Sequence, residues 1–254
     1  MQSIIKKIKE KYELRNLPDS LVKSTLESYL KKNKIKNLDK EKNQKIVIKE
    51  VRSILRRYAG QYASKSNIKN MYELVKKGKF EDILKEHSST RERLEDYPLV
   101  IEVIKKINPK SILDLGCGIN PVAIAQSFNK AEYHAYDINN SDLEIVEKFF
   151  KSKKINGFVY NQDIRNIGNF PKADLCIIFK VLDILGEKRN EISSKLLKEI
   201  DSKYFLVSFP TKTLTGKPMS VVYRRWFEKI LEKLSLNYEV KRTSQELFYI
   251  IRKA

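Results

Sequence analysis

Three aspartates, each at the carboxyl end of a short apolar run, are the first residues of this chain that could do chemistry together. Asp114 lies in "SILDL", Asp137 closes "AEYHAYD", and Asp163 follows "GFVYNQ". Gly116 and Gly118 come directly after the first run, in "LGCG", a turn where the backbone can approach a ligand closely. If the three runs are parallel strands, their carboxylates gather at the sheet edge where open α/β folds bind ligands. A carboxylate at Asp137 can then accept hydrogen bonds from both hydroxyls of a ribose, and Asp163 can receive the amino group of an adenine. The turn is not a G-x-G-x-x-G phosphate cradle, because Gly118 is followed by "INPVAI". Pro121 opens the next helix and leaves little room for a pyrophosphate. A ligand with adenine, ribose and a charged amino-acid tail but no phosphate fits the pattern, and S-adenosylmethionine is such a ligand.

Other reactive constellations are missing from the sequence. With two histidines and two unclustered cysteines, a zinc site is not expected. Cys117 lies in the glycine turn and Cys176 within an apolar run, positions that predict packing roles rather than a nucleophilic thiolate. The cysteine usage predicts a reducing cytoplasm, and no apolar run is long enough to span a bilayer. The opening "MQSIIKKIKEKYELR" lacks the apolar block of a signal peptide. A monomer is expected.

The aspartates have to be positioned by a sheet. Apolar runs alternating with helical stretches predict strands at "SILDL", "AEYHAYD", "GFVY", "ADLCIIF" and "YFLVSF", with "NYEVKR" and "ELFYIIR" as an antiparallel edge hairpin. This is an α/β fold with a mostly parallel sheet covered on both faces. The preceding residues read as helices throughout. Ile4, Ile5, Ile8 and Tyr12 share one helical face, and Leu21, Val22, Leu26, Tyr29 and Leu30 another. A third helix, over about 39–58, sets Ile46, Val47, Val51, Ile54, Leu55 and Tyr58 against Lys42, Lys45, Lys49, Arg52, Arg56 and Arg57. Residues 1–80 hold 22 basic and 8 acidic side chains, +14 of the whole chain's +19. The expected organisation is therefore a basic helical domain over 1–80, gripping RNA through Lys45, Lys49, Arg52 and Arg56, and a cofactor-binding domain over 81–254.

Together "HSSTRERL", "LDLGCGINP", "AYDI", "QDI" and "SFPTKTLTGK" resemble a family. These motifs are similar to those of the Rossmann-like class I SAM-dependent methyltransferases, and more narrowly of the ArmA/RmtB/Sgm aminoglycoside-resistance methyltransferases of small-subunit (16S) rRNA. The resemblance runs from about Arg52 to the C-terminus. It implies methyl transfer to guanine-N7 in the decoding region, on rRNA within the assembled 30S subunit, with an N-terminal helical domain holding the RNA. By the same resemblance Thr90 and Arg91 lie near the methionine tail of the cofactor, and Gly116, Asp137 and Asp163 contact it. Ile138 and Ile164 would sandwich its adenine, and Lys180 and Lys212 would stand beside the target nucleotide. The chain departs from the family where Asp183 replaces a proline, where Glu187 and Lys188 replace glutamines, and where "KPMS" replaces "KGM". The alternatives are methylation of another rRNA or tRNA position, or a SAM-binding ribosome-assembly factor without activity.

Overall fold

The structure, a computed structural model, describes residues 1–35, 37–38, 40–59, 65–165, 168–213 and 216–253. The side chains of residues 57–59, 65–68 and 187, with Arg57, Tyr58 and Glu187 among them, lie outside the described residues. The chain opens with α1 (Gln2–Lys9), a 3-10 turn (Tyr12–Leu14), α2 (Asp19–Lys32) and α3 (Glu41–Ala59). Four helices follow: α4 (Lys65–Lys76), α5 (Phe80–Glu86), α6 (Ser88–Glu92) and α7 (Tyr97–Ile107). Then β1 (Ser111–Leu115), α8 (Asn120–Ile124), β2 (Glu132–Asp137), α9 (Asn140–Lys153), β3 (Gly157–Asn161) and β4 (Ala173–Phe179) alternate. The chain closes with α10 (Arg189–Glu199), β5 (Ser202–Pro210), α11 (Arg225–Lys233), β6 (Asn237–Arg242) and β7 (Glu246–Arg252).

The seven strands lie in the order β3-β2-β1-β4-β5-β7-β6. The first five are parallel, and β7 inserts antiparallel between β5 and β6. Every strand expected from the apolar runs is present, and the last two form the edge hairpin. Strand order reverses between β1 and β4, and the loops leaving those two strands diverge to opposite faces. This opens a crevice at the carboxyl edge, the ligand position of doubly wound sheets. Asn108, at φ 51°, ends α7 in the left-handed conformation that asparagine tolerates, and the chain enters β1 three residues later.

The helical region departs from its expected form in two details. The first amphipathic stretch is not one helix: Lys11 is extended, and the chain restarts as the Tyr12–Leu14 turn, which carries Leu14 into the core with Ile4, Ile5 and Ile8. In α3 the buried positions are Val47, Val51 and Leu55, spaced by four residues, whereas Ile46 is 48% exposed. Ile46 is one residue, about 100° of helix rotation, away from that stripe. The core on one face of the sheet includes Met71 of α4 and Phe80, Ile83 and Leu84 of α5, alongside residues of α7, β1, β2 and α9.

Candidate functional site

The turn after β1 is built from backbone. Gly116 and Cys117 both donate their N–H to the carbonyl of Tyr136 at the end of β2, at 2.8 and 3.0 Å. Gly116 stands at φ 69°, and a Cβ there would lie 2.4 Å from Cγ2 of Val181, so both conformation and space require glycine. Gly118 donates its N–H to Asp137 Oδ2 at 2.8 Å, and Asn139 donates its N–H to Asp137 Oδ1 at 2.8 Å. The carboxylate at the end of β2 is thus held from both sides by the backbone. Burial, and the neighbouring Asp142 carboxylate, push its pKa up to about 6 against those two lowering N–H bonds.

An open cleft runs from this turn across the carboxyl edge. Its walls include Gly116, Gly118, Asp137, Ile138, Asp163, Ile164 and Lys180. All but four of the residues expected to serve the cofactor or the target nucleotide (Thr90, Arg91, Asp114 and Lys212) therefore meet in one place. Ile138 directly follows β2, Ile164 lies three residues beyond β3, and both supply apolar walls. Asp163 is there too, but chelated by its neighbour: Arg165 donates from Nη2 at 2.7 Å and from Nε at 3.0 Å.

Thr90 and Arg91 are not among the lining residues. The Thr90 side chain is buried, and its hydroxyl is shared between the carbonyls of Leu84 and His87, which fastens α6 to α5. Arg91 points to solvent. The guanidinium that reaches the cleft belongs to Arg93, two residues on, at 1% exposure. It donates to Glu246 from Nε at 2.8 Å and Nη2 at 3.2 Å, donates to Asn120 Oδ1 at 2.5 Å, and stacks over Phe179 at 4.6 Å. Burial opposes both charges of this pair. The attraction overrides it, holding the guanidinium protonated and Glu246 below the usual carboxylate range, with Lys180 at 3.2 Å assisting. Within "HSSTRERL" the two arginines are indistinguishable by type. Only Glu246 from β7 decides between them.

Asp114 does not reach the ligand edge either. It is fully buried beneath the turn, takes a hydrogen bond from the Tyr133 hydroxyl at 2.8 Å, and has one oxygen without a partner. Burial raises its pKa to about 7. Two cleft residues carried no expected role, Asp142 and His87, although His87 opens the "HSSTRERL" motif. His87 Nε2 lies 3.3 Å from Asp142 Oδ2, and Asp142 Oδ1 is buried with no partner. Both cysteines are buried, and burial pushes their thiols well above the ordinary range, so neither supplies a thiolate. Among the described residues no group of His, Cys, Asp or Glu could hold a metal ion.

The cleft is polarised. Asp137 and Asp142 stand beyond β2, Arg93 and Lys180 lie at the end of β4 where both pair with Glu246, and Ile138 and Ile164 follow β2 and β3. Adenine, ribose and an amino acid's carboxylate have matching partners there, and the orphaned oxygen of Asp142 leaves one acceptor open.

A second cleft opens beside the first and shares Lys180 and Ile184 with it. Lys212, Arg189, Tyr223, Arg225 and Trp226 also line it, giving cations interleaved with aromatic rings. Lys180 sits at φ 58°, a conformation that costs a non-glycine residue about 1 kcal/mol or more and is kept where the side chain is needed. Arg224 organises the loop after β5. It donates to the carbonyls of Pro210, Val221 and Val222 and bonds Asp183 Oδ2 at 2.9 Å. Asp183, one of the departures from the family pattern, thus joins the turn after β4 to the loop after β5. In "KPMS", Pro218 pairs in a β-bridge with Lys212, the other side of the same loop.

The four basic residues expected on α3 divide into two pairs. Lys45 and Lys49 are exposed. Arg52 donates to the carbonyls of Lys7 and Ile8 at the C-terminal end of α1, the first of which also accepts from the Glu10 N–H, and Arg56 Nε bonds Glu13 at 2.8 Å. The guanidiniums of Arg52 and Arg56 hold α1 and the 3-10 turn against α3, and both arginines line the same groove as Lys45 and Lys49.

The family described as ribosomal RNA methyltransferase (FmrO) matches residues 73–250. A 16S rRNA (guanine(1405)-N(7))-methyltransferase of Serratia marcescens is 28% identical over 217 residues, covering 84% of this chain and 86% of that protein. The structure of the 16S rRNA methyltransferase RmtF in complex with S-adenosyl-L-homocysteine superposes with a TM-score of 0.86 at 21% identity, covering 100% of this chain and 98% of that one. The structure of the 16S rRNA methylase ArmA is 30% identical with a TM-score of 0.59, over 72% of this chain and 98% of that one.

Proposed function

Because the chain belongs to the FmrO family of ribosomal RNA methyltransferases, we propose that it methylates guanine-N7 in the decoding region of small-subunit rRNA, using S-adenosylmethionine. The observation that carries this reading is the polarised cleft at the β1/β4 crevice, opening through Lys180 and Ile184 onto a cationic, aromatic cleft.

S-adenosylmethionine, when bound, supplies a methyl group on a sulfonium that leaves as a neutral thioether. Asp137, ionised at neutral pH, would accept from the ribose hydroxyls, and Ile138 and Ile164 would supply apolar walls for the adenine. Asp163, paired with Arg165, would serve the adenine amino group. Arg93, rather than Arg91, would pair with the methionine carboxylate. Lys180 and Lys212 position the target nucleotide in the second cleft. Guanine-N7 has a free lone pair at neutral pH, so the chain needs no general base. Its residues act by orienting the two substrates and excluding water.

The helical module holds the rRNA. Lys7, Lys11, Lys45, Lys49, Arg52 and Arg56 border one groove of the module and form its phosphate-contacting face. Met71 and Phe80 share the sheet's core, which favours drawing the domain boundary between α3 and α4 rather than at residue 80. The substrate is the assembled 30S subunit, met by a monomer in the cytoplasm. Methylation of the decoding guanine would confer aminoglycoside resistance. No helix among the described residues is long and apolar enough to cross a membrane.

The test is mass mapping of small-subunit rRNA after incubation of 30S subunits, or naked rRNA, with the protein and labelled S-adenosylmethionine. One added methyl on a decoding-region guanine is expected, in a form that cleaves as N7-methylguanine does. A mark elsewhere, or none with either substrate, overturns the reading.

A further inference from the structure

The helical module touches the cofactor cleft as well as carrying the basic groove. Asn16 follows the 3-10 turn and is flanked by Leu14 and Leu17, both buried in the module's core. Its Nδ2 donates to the Ser141 hydroxyl at 2.6 Å, across 125 residues of sequence. Ser141 in turn donates from Oγ to Asn139 Oδ1 at 3.0 Å. Asn139 is the residue whose backbone N–H holds Asp137 Oδ1, and its side-chain amide donates to Asp142 Oδ2 at 3.0 Å. A parallel apolar path exists, because Ile138, a wall of the cleft, also packs against the module's core. On the other side, Arg56 of α3 grips Glu13, within the 3-10 turn and three residues before Asn16. A chain of direct contacts therefore leads from the basic face of α3 to the ribose-binding carboxylate.

We propose that Asn16 is a positioning residue for the cofactor cleft, fixing the turn Asp137–Asp142 from the helical module through Ser141 and Asn139. The inference rests on the cofactor reading given above. Asn16 itself is exposed and touches no part of the cleft, so its effect reaches the ligand only through the turn. With the link present, Asn139 is held where its N–H faces Asp137. Without it, the turn has more conformations to lose when ligand binds, and affinity falls. Any coupling carried by this path is reciprocal: the factor by which rRNA on the module changes cofactor affinity equals the factor by which cofactor changes rRNA affinity.

A second consequence separates positioning from a loss of fold. The groups facing Asp137 are Asp142 of α9, His87 at the start of α6 and Asp114 of β1; Asp142 raises its pKa and His87 lowers it. The Asn139 N–H lowers it too. A loosened Asn139 therefore moves the pH midpoint of cofactor affinity upward, which a general loss of stability would not do.

The experiment is calorimetric titration of the full-length protein with S-adenosylhomocysteine, between pH 5 and 8, for wild type, Asn16→Ala, Ser141→Ala and the double variant. Asn16→Ala is expected to bind about 3-fold to 10-fold more weakly, the worth of one hydrogen bond. Its pH midpoint should rise and its melting temperature stay that of wild type. The double variant should be no weaker than Ser141→Ala, because both substitutions cut one link. Asn33→Ala, on the module's surface but outside the chain of contacts, should bind like wild type. Unchanged affinity and midpoint in Asn16→Ala, with wild type binding normally, overturn this inference and leave the cofactor reading intact. Failure of wild type to bind overturns both.

Discussion

The helical module and the sheet use charge in opposite ways. Residues 1–80 carry +14, much of it on exposed lysines, and their acidic partners lie mostly on the surface. Residues 81–254 carry only +5, and their decisive charges are buried in pairs, Arg93 with Glu246 and Arg224 with Asp183. A solvated lysine contributes a field that acts on phosphate, is screened by salt, and can be changed at little cost to the fold. A buried pair contributes geometry, and removing one partner strands the other in a low dielectric. Arg52 and Arg56 lie in the first region and stand between the two kinds, half-buried and lining the basic groove while fastening α1 and the 3-10 turn. They are identified by the carbonyls and carboxylate they hold, not by where they fall in the chain.

The largest effect expected from breaking this contrast is at the buried pair. Arg93→Ala should destabilise the fold by about 3–5 kcal/mol in urea denaturation, because Glu246 remains behind with only Lys180 to neutralise it. If Arg93→Ala unfolds at the wild-type urea midpoint, the pair is not holding β7 to α6.

Next in size is Asp137. Asp137→Ala should weaken S-adenosylhomocysteine binding by about 1.5–3 kcal/mol in calorimetry, the worth of charge-assisted hydrogen bonds to ribose. The ionised form accepts those bonds, so wild-type affinity should fall as pH drops through about 6, and Asp137→Asn should abolish that step. Stability runs the other way. The folded pKa values of Asp137 and Asp114, about 6 and about 7, lie above the ordinary value, so the folded chain holds extra protons in that window. Stability should therefore decline as pH rises from about 4 to about 7. A flat profile there would mean that neither carboxylate is titrating as its burial requires.

The module's lysines come next. Lys45→Glu with Lys49→Glu should leave the unfolding free energy from urea denaturation within about 0.5 kcal/mol of wild type. Each phosphate that these lysines no longer neutralise should flatten the dependence of rRNA affinity on log salt by about 0.7–0.9. Arg52→Glu should do the reverse, lowering stability through the end of α1 with a smaller change in salt slope. Equal behaviour of the lysines and the arginine would erase the division between them.

The smallest effect is expected at the thiols. Cys117→Ala with Cys176→Ala should cost about 1 kcal/mol of stability or somewhat more through poorer packing and leave methylation measurable. Loss of turnover in a folded double variant that still binds cofactor would restore a covalent role to one of them.

Local pattern was enough to read the sheet and its carboxyl edge. Apolar runs of strand length, a glycine turn and an aspartate closing the second run are statements about neighbouring residues, and neighbours in sequence are neighbours in a strand. Hence all seven strands, Gly116, Asp137, Ile138, Asp163, Ile164 and Lys180 stand where the sequence predicts. What it left open depended on partners far along the chain. Arg91 and Arg93 look alike until Glu246, 153 residues away, buries one of them. Arg52 and Lys49 look alike until the end of α1 brings the carbonyls of Lys7 and Ile8 to Arg52. Asp114 reads as a ligand residue until Tyr133 accounts for one oxygen and the turn covers it. Burial and pairing of a charge are set by tertiary contact, because the cost of desolvating it depends on what else arrives at the same place.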